Sequence, residues 1–407
     1  MLMPLPMDTD AVVIGASIAG LMHALVLKST GRNVAIVEGR SQRQIQAAGA
    51  GLSFWPNAQR LFMTCIPGVD FDAWAIKNTT MEILTQDGFP IIELPFSEEI
   101  RTSSWAVVRD KLVQACEQDV NGHGTVTFRT GQRVCNVIDQ EDHIEVMYTC
   151  EDGSKKRIAA GLVIAADGAR SLVRNQLLPD TRSEYVGYLA WRGRFPESEA
   201  PKELDGAVEG KMTFFMFEGS YILAYLAPDE RGSMVSGDRC VEWCWYDACD
   251  VSSPDFSEYM TDRYGTQHNM TVSAELLRPE TWAEQLSRRK SVVPPIWQSL
   301  FAKSGLPLLT AIHSFDNEQA AFYGGKLLLV GEAFTQIRPH LGASCDIAAL
   351  QAVHLPGVLN GEISIAEWEK IVADYANEKS IGSKATGVFG MTGQWPDGYV
   401  ATFAGRP

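Results

Sequence analysis

The chain of 407 residues has no surplus of positive charge, no long apolar run and no C-x-x-C pair. With 35 Lys and Arg against 50 Asp and Glu, its formal net charge is −15, which repels phosphate backbones and anionic lipid heads. Nucleic acid is therefore not an expected partner. No apolar stretch approaches the ~20 residues that span a bilayer, so stable membrane insertion is not expected either. The first six residues carry no basic region and are not read as a signal peptide; the cytoplasm is the expected location. None of the eight cysteines forms a C-x-x-C pair. Cys240 and Cys244 stand in a strand-like run, roughly 13 Å apart along an extended chain, too far to share one metal ion. Cys249 would face the other side if that strand continued. No metal site is expected, and buried free thiols in a reducing compartment are the better reading. Internal repeats and Ser/His/Asp or paired-carboxylate sets do not stand out, so hydrolysis has no support.

What is present begins with a short apolar run from Asp10 to Ile14, of the kind that forms a buried parallel strand. It ends in Gly15-Ala16-Ser17-Ile18-Ala19-Gly20, and apolar positions follow at helical spacing through Val26. After a Gly31-Arg32-Asn33 turn, Val34 to Val37 make a second strand that ends at Glu38. This strand, glycine turn, helix, strand and acid sequence is the context in which a glycine fingerprint carries meaning. Gly15 allows a tight turn, and Gly20 allows close packing of helix on strand. The N–H groups that open the helix, from Ser17 through Ile18 and Ala19, suit a pyrophosphate. Glu38 can accept from a ribose hydroxyl. The middle glycine of the fingerprint is replaced by Ser17, whose hydroxyl could itself bond a phosphate oxygen. By itself, this unit leaves NAD and FAD open.

Further motifs follow in order. Gly51 precedes Trp55-Pro56-Asn57. Trp105 to Leu112 reads as a strand leading to a helix, with Arg109 at the junction. A buried strand from Leu162 to Ala166 runs into Asp167-Gly168, with Ser171 and Arg174 behind it. Lys326 to Val330 is a strand ending in Gly331-Glu332-Ala333, followed by Arg338-Pro339-His340-Leu341-Gly342-Ala343-Ser344 and an alanine-rich helix. In order and spacing these resemble the aromatic-ring hydroxylases, the single-component FAD monooxygenases. The salicylate hydroxylase-like and 2,6-dihydroxypyridine 3-hydroxylase-like members are the nearest in pattern. Tyr185 to Gly193 and Gly237 to Tyr246 carry the latter likeness.

The resemblance implies an α/β fold with an α+β substrate part. A Rossmann-like FAD-binding domain (1–80, 100–181 and 311–407) would hold an inserted, mostly antiparallel substrate sheet (81–99 and 182–310), with helices at the C-terminus. Short strands near Met81 to Leu84 and Ile91 to Leu94 would join that sheet, and helices are expected around Ser257 to Tyr264 and Ile365 to Lys379. FAD contacts would come from Gly15, Ser17, Ile18, Ala19, Gly20, Glu38, Gly51, Arg109, Asp167, Gly168, Gly331, Glu332, Pro339, Gly342, Ala343 and Ser344. His340 and Arg192 are the catalytic candidates. Trp55, Phe215, Phe217 and Tyr225 are the substrate-binding candidates.

NADPH or NADH would reduce FAD by transient docking, since a second glycine fingerprint is absent. O₂ would then add at the flavin C4a position, and an electron-rich phenol, hydroxypyridine or indole would take oxygen from the hydroperoxide, by hydroxylation or epoxidation. A homodimer is left open. The chain departs from the family pattern at Ser17, at Glu332 in place of aspartate, and at Ser344 in place of glycine. These departures motivate an alternative: an isomerase or cyclase on the same fold, with FAD weak or lost and no oxygen chemistry.

Overall fold

The computed structural model describes residues 8–41, 50–85, 87–302 and 304–400. The first six residues and the residue before Ala50 lie outside the described part. Two sheets organise the chain. β1 (Thr9–Ile14), β2 (Val34–Glu38), β6 (Val126–Thr130), β9 (Lys155–Ala165) and β17 (Leu327–Leu329) form a parallel core in the order β17-β9-β1-β2-β6. At its margins stand the antiparallel β16 (Ala321–Phe322), β7 (Arg133–Asp139) and β8 (Ile144–Thr149). Continuous apolar strands such as Ala11 to Ile14 and Leu327 to Leu329 are buried on both faces, as a helix-covered parallel sheet requires. The helix Ile18–Ser29 packs against Trp105–Glu117 and Ser344–Leu359.

The second sheet runs β14-β15-β10-β13-β12-β11-β4-β5-β3. Its strands are β3 (Gly51–Phe54), β4 (Ile76–Leu84), β5 (Pro90–Ser104), β10 (Glu184–Pro196), β11 (Lys211–Phe217), β12 (Ser220–Ala227), β13 (Cys240–Ala248), β14 (Thr271–Val272) and β15 (Leu308–Ser314). All neighbours are antiparallel except β11 and β4. The period of two along each strand sorts its residues onto two faces. Ile222, Ala224 and Leu226 join Trp191, Trp243, Trp245, Trp282, Trp297 and Phe301 in the outer core, covered by the helices Pro279–Arg289 and Pro295–Phe301. Tyr221, Leu223 and Tyr225 face inward with Tyr188, Tyr246, Cys244 and Met212.

Several local expectations shift in the structure. The strand before Arg109 ends at Ser104, whose side chain caps the next helix by accepting from Val107 N at 3.3 Å. Arg109 therefore lies inside the helix Trp105–Glu117 rather than at its junction with the strand. The helix expected near Ser257 is Pro254–Tyr259, capped by Ser253. The last helix extends from Ile365 to Thr392, well past Lys379. Gly382, Gly387 and Gly390 weaken its pattern, since each glycine costs about 1 kcal/mol of helix propensity. They are used for contact: a Cβ at Gly387 would lie 2.4 Å from His340 Nε2, and one at Gly390 would lie 2.4 Å from the Tyr221 ring. β13 stops at Ala248, so Cys249 falls just outside it; Cys249 packs in the outer core and Cys244 in the inner one.

Gly20 packs tightly against Gly15. A Cβ at Gly20 would sit 2.0 Å from the Gly15 carbonyl oxygen, a backbone atom that cannot swing aside. Gly20→Ala is expected to lower the melting temperature by several degrees, following about 1–3 kcal/mol of overpacking. Gly206→Ala, in a helix with nothing within 4 Å, should leave it unchanged or raise it slightly. Circular dichroism melts of the two variants check the contrast, and equal losses would contradict it.

Candidate active site

Gly15 leaves β1 with φ +103°, a conformation that side chains resist, and a Cβ there would lie 2.5 Å from Ala166 O. Ser17 caps the helix Ile18–Ser29 in extended geometry but makes no side-chain capping bond. Ile18 is buried behind it, and Ala19 is half-buried at the same helix end. Glu38, at the end of β2, is buried. Its Oε2 accepts from Ala16 N at 2.8 Å, and its Oε1 from Arg40 N and Nε at 2.8 and 3.0 Å. Although burial opposes its charge, bonds from Arg40 and Ala16 hold the carboxyl below its usual range. Arg109 is close enough to feel Glu38 and Arg40, and burial lowers its pKa. Its Nε has no partner among the described residues.

Asp167 and Gly168 act on the fold around them. Burial raises the Asp167 pKa. The carboxyl accepts from Ser171 Oγ at 2.5 Å and from Val173 N at 3.2 Å, which starts the short helix Leu172–Leu177. Gly168 turns the chain at φ +78°. The helix delivers Arg174, whose guanidinium donates to Glu332 O at 3.2 Å, Ala333 O at 3.4 Å and Ala169 O at 2.6 Å. The same guanidinium lies 4.2 Å over the Phe315 ring.

The loop braced in this way carries the next group of expected residues. Gly331 has φ +57°, and a Cβ there would be 2.7 Å from the Ala19 Cβ, so the loop touches the fingerprint helix. Glu332 lines a cavity and is exposed to it; the protein around it raises its carboxyl pKa, and Arg192 pulls the other way. Pro339 leads into Gly342, at φ +62°, where a Cβ would meet Ser53 Oγ at 2.5 Å. Ala343 is buried at the start of the helix Ser344–Leu359, and Ser344 faces the cavity. Buried Asp346 ties three helices together. It accepts from Ala58 N and Asn57 Nδ2, each at 2.8 Å, and from the Tyr375 hydroxyl.

The cavity, of about 700 Å³, lies between this loop and the inner face of the second sheet. Of the expected residues, Gly51, Arg192, Tyr225, Glu332, Pro339, Gly342 and Ser344 line it. Register stacks the sheet side in rungs: Arg194, Glu242 and Tyr225; then Arg192, Cys244 and Leu223; then Ala190, Tyr246 and Tyr221. Burial works against the Arg192 charge, but Cys244, Tyr246 and Tyr225 raise its pKa.

His340 lies beside the cavity, not on it. Its Nε2 is 2.5 Å from the Tyr188 hydroxyl, and its Nδ1 bonds the Tyr221 hydroxyl. Both ring nitrogens are thus occupied by buried tyrosines, which leaves none for a substrate in this arrangement. Trp55 caps the helix Pro56–Cys65, donates to Leu341 O at 3.0 Å and faces a separate cavity beside Lys379. Phe215 and Phe217 lie on the opposite face of the sheet, where Phe215 packs 5.3 Å from Trp297. Alternation decides this, because Phe214 and Met212 take the inner positions. Glu242 and Asp346 were missed by the sequence reading. The available signal for Glu242 was a lone carboxylate between Val241 and Trp243 in an otherwise apolar aromatic strand.

These features fit a bound dinucleotide. A glycine cradle closed to any Cβ, a serine that makes no capping bond and an arginine Nε unpartnered among the described residues stand at one end, with a large cavity at the other. They define a dinucleotide-binding α/β protein whose cavity is walled by a second sheet. Sequence comparison agrees. A pattern described as FAD binding domain matches residues 8–190, and one described as FAD binding domain-like matches residues 185–314. The chain belongs to this FAD-binding family, among FAD-dependent aromatic hydroxylases, and is an oxidoreductase of the monooxygenase type.

It is 26% identical over 346 residues to 2,6-dihydroxypyridine 3-monooxygenase of Paenarthrobacter nicotinovorans, covering 84% of this chain and 81% of that one. An FAD-dependent urate hydroxylase of Klebsiella pneumoniae is 31% identical over 200 residues, 47% of this chain and 48% of its own. The structure of 2,6-dihydroxypyridine-3-hydroxylase from Arthrobacter nicotinovorans superposes with a TM-score of 0.80 at 22% identity, covering 98% and 96% of the two chains. That likeness establishes the shared fold.

Burial first, then Arg338 and Arg192, lowers the His340 pKa to about 3, against 6.5 for a free imidazole. Buried His23 is lowered to about 4. Between these values and 6.5 the unfolded chain binds more protons than the native one, so stability falls as pH drops below about 6.5 and continues to fall toward 3. Urea melts at decreasing pH should show wild type losing up to roughly 1.4 kcal/mol per pH unit more than His340→Gln. Parallel curves for the two proteins would refute the assignment.

Proposed function

We propose that the chain uses NAD(P)H and O₂ to hydroxylate or epoxidise an electron-rich aromatic or heteroaromatic small molecule. The observation that carries this reading is the cavity of about 700 Å³, with glycine-lined loops on one wall and an aromatic sheet on the other. When bound, the reduced flavin supplies electrons and activates oxygen, chemistry that belongs to the cofactor. The rest falls to this chain's own residues.

Ser17, Glu38 and Arg109 would hold the ADP half, with Gly15, Ile18, Ala19 and Gly20 shaping its approach. Glu332 and the Gly342-to-Ser344 turn would hold the other half, together with Gly51 and Pro339. Asp167 and Gly168 would act through the Arg174 brace. Ala343, Ser344 and Cys345 open a helix whose unpaired N–H groups favour negative charge nearby. Arg192 and Tyr225 would orient the substrate, and the Tyr246 ring would exclude water from the sheet side. His340 would position Tyr221 and Tyr188 rather than touch the reacting atoms.

We further propose that the division into a discontinuous FAD-binding part (1–80, 100–181, 311–407) and an inserted substrate part (81–99, 182–310) describes how the chain is built, with β3, the start of β4 and the ends of β5 and β15 lent to the second sheet.

One observation favours the isomerase or cyclase alternative. A carboxylate has about four acceptor sites, and those of Glu38 already face Ala16 N, Arg40 N, Arg40 Nε and Arg40 Nη2. A ribose hydroxyl must displace part of the Arg40 contact.

The test is reconstitution. Purified protein titrated with FAD should turn yellow, and NADPH should bleach it faster when 2,6-dihydroxypyridine or another electron-rich ring is present. Arg109→Ala should weaken FAD binding by about tenfold or more, consistent with loss of one charge-assisted contact. Wild type that takes up no FAD would sink the monooxygenase reading in favour of the alternative.

A further inference from the structure

The cavity has two unlike ends. Its sheet wall is made by five adjacent strands, from Leu223 and Tyr225 on β12 through β13, β10 and β15 to Thr271 on β14. Four strand spacings of ~4.8 Å make that wall about 19 Å wide. At the β12 end Gly51 closes the space, since a Cβ there would meet the Tyr225 hydroxyl at 2.4 Å and Glu242 Cγ at 2.8 Å. At the β14 end Thr271 and Gly305 line the cavity and are exposed, so the space opens to solvent there.

Charge is confined to one part of it. The charged lining consists of Arg192 and Arg194 on β10, Glu242 on β13 and Glu332 on the opposing loop. Among the described residues, no Asp, Glu, Lys or Arg lines the flank formed by β14, β15 and the 304–306 loop. Alternation sets what that flank presents. Leu309 and Ala311 turn to the outer core and Ile312 to the inner one, so Leu308 and Thr310 share the cavity face with Ile312. Met270, Ala274 and Leu306 add to an apolar lining. Two of its polar groups are engaged locally: Ser304 Oγ donates to Phe301 O at 3.3 Å, and His313 Nδ1 lies 2.9 Å from Ala311 O.

The cofactor does not account for this flank. In the reading above, the flavin half of FAD is held by Gly51, Glu332 and the stretch from Pro339 to Ser344, none of which belongs to β14, β15 or the 304–306 loop. Between the flank and the charged part stands Arg192, paired in register with Leu308 on one side and Cys244 on the other. It is partly exposed and lines the cavity, with the Cys244 thiol as its hydrogen-bonding neighbour, so a ring oxygen can accept from its guanidinium. A single ring placed there leaves the flank uncovered. A substituent leaving that ring over Leu308 runs onto Thr310 and Ala274 and meets no charge.

We propose that this flank is a second subsite, which takes an uncharged alkyl arm carried by the aromatic ring that lies beside Arg192. The inference rests on the hydroxylase reading above and narrows its substrate class to hydroxyarenes and hydroxypyridines with an alkyl substituent. The arm is held because its methylenes leave water for the apolar lining. Its far end reaches the mouth between Thr271 and Gly305, so chain length is limited by contact with the flank and not by a closed wall. The ring keeps one orientation, with its oxygen on the charged side and its arm on the uncharged side.

The test uses FAD-loaded wild type, Thr310→Phe and Gly305→Trp, with phenol and its 2- and 4-ethyl, butyl and hexyl homologues as probes. Isothermal titration should show the Kd of wild type falling by about fourfold per added methylene along one of the two series, until the chain passes the mouth. Both variants fill the flank and should flatten that series, with phenol binding and the flavin absorbance close to wild type. A Cβ at Gly305 meets nothing within 4 Å, so Gly305→Trp supplies the comparison if Thr310→Phe does not fold. Series that stay flat in wild type, or that rise equally in wild type and both variants, would overturn the proposal. So would variants that slow reduction of the flavin by NADPH and leave the series unchanged, a result that gives the mouth to the reductant. Wild type that takes up no FAD fails the hydroxylase reading itself, which is separable from FAD-loaded protein that binds every homologue alike.

Discussion

Three backbone carbonyls and one aromatic face converge on the Arg174 guanidinium, and the geometry of the cavity follows from that convergence. The carbonyls of Glu332 and Ala333 belong to the loop leaving β17, and that of Ala169 belongs to the turn leaving β9. A planar, permanently charged fork can hold all three at once, which a lysine ammonium could not do with the same directionality. Asp167 and Ser171 fix the helix that delivers it. Because the loop is pinned, Gly331 rests against Ala19 and Glu332 is presented to the cavity. A motif that reads as ligand-binding is, in its contacts, the frame that aims the binding loop.

A second frame stands on the opposite side. Asp346 joins the starts of two helices to Tyr375 of the last one, so the turn from Gly342 to Ser344 is fixed from behind. The tyrosine and histidine cluster of Tyr188, Tyr221 and His340 then seals the sheet against that last helix. Between the two frames lies the cavity, with paired charges at one end and buried phenols at the other. Rigid supports around an open space are what positioning of a small ring demands.

The first sheet was legible because its signal is local. β1, its helix and β2 follow one another within some thirty residues, and each contact that requires a glycine lies inside the motif that announces it. The inner wall was legible only in composition. Aromatic residues on β11 and β12 mark a buried sheet, but alternation alone does not say which face meets the cavity. Tyr225 therefore lies on the inner face, while Phe215 and Phe217 support the outer core. His340 lies in the expected loop, but its partners come from strands more than a hundred residues away. Asp346 and Glu242 escaped notice for the same reason: each draws its meaning from groups far off in sequence. The end of the last helix was hidden by glycines placed for close contact instead of for termination.

Both sheets are threaded through the same stretches of chain. β3, β4 and β5 belong to the second sheet, yet its remaining strands come only after residue 184. The first sheet in turn waits for β17, beyond residue 326, to complete its parallel core. Neither sheet can close before most of the polypeptide exists, so folding is dominated by long-range pairings, which are slow to form. During synthesis the early strands lack part of their neighbours until later ones emerge, an interval in which exposed edges invite association. The same threading that brings a loop of one sheet against the face of the other makes the finished cavity a product of the whole chain at once.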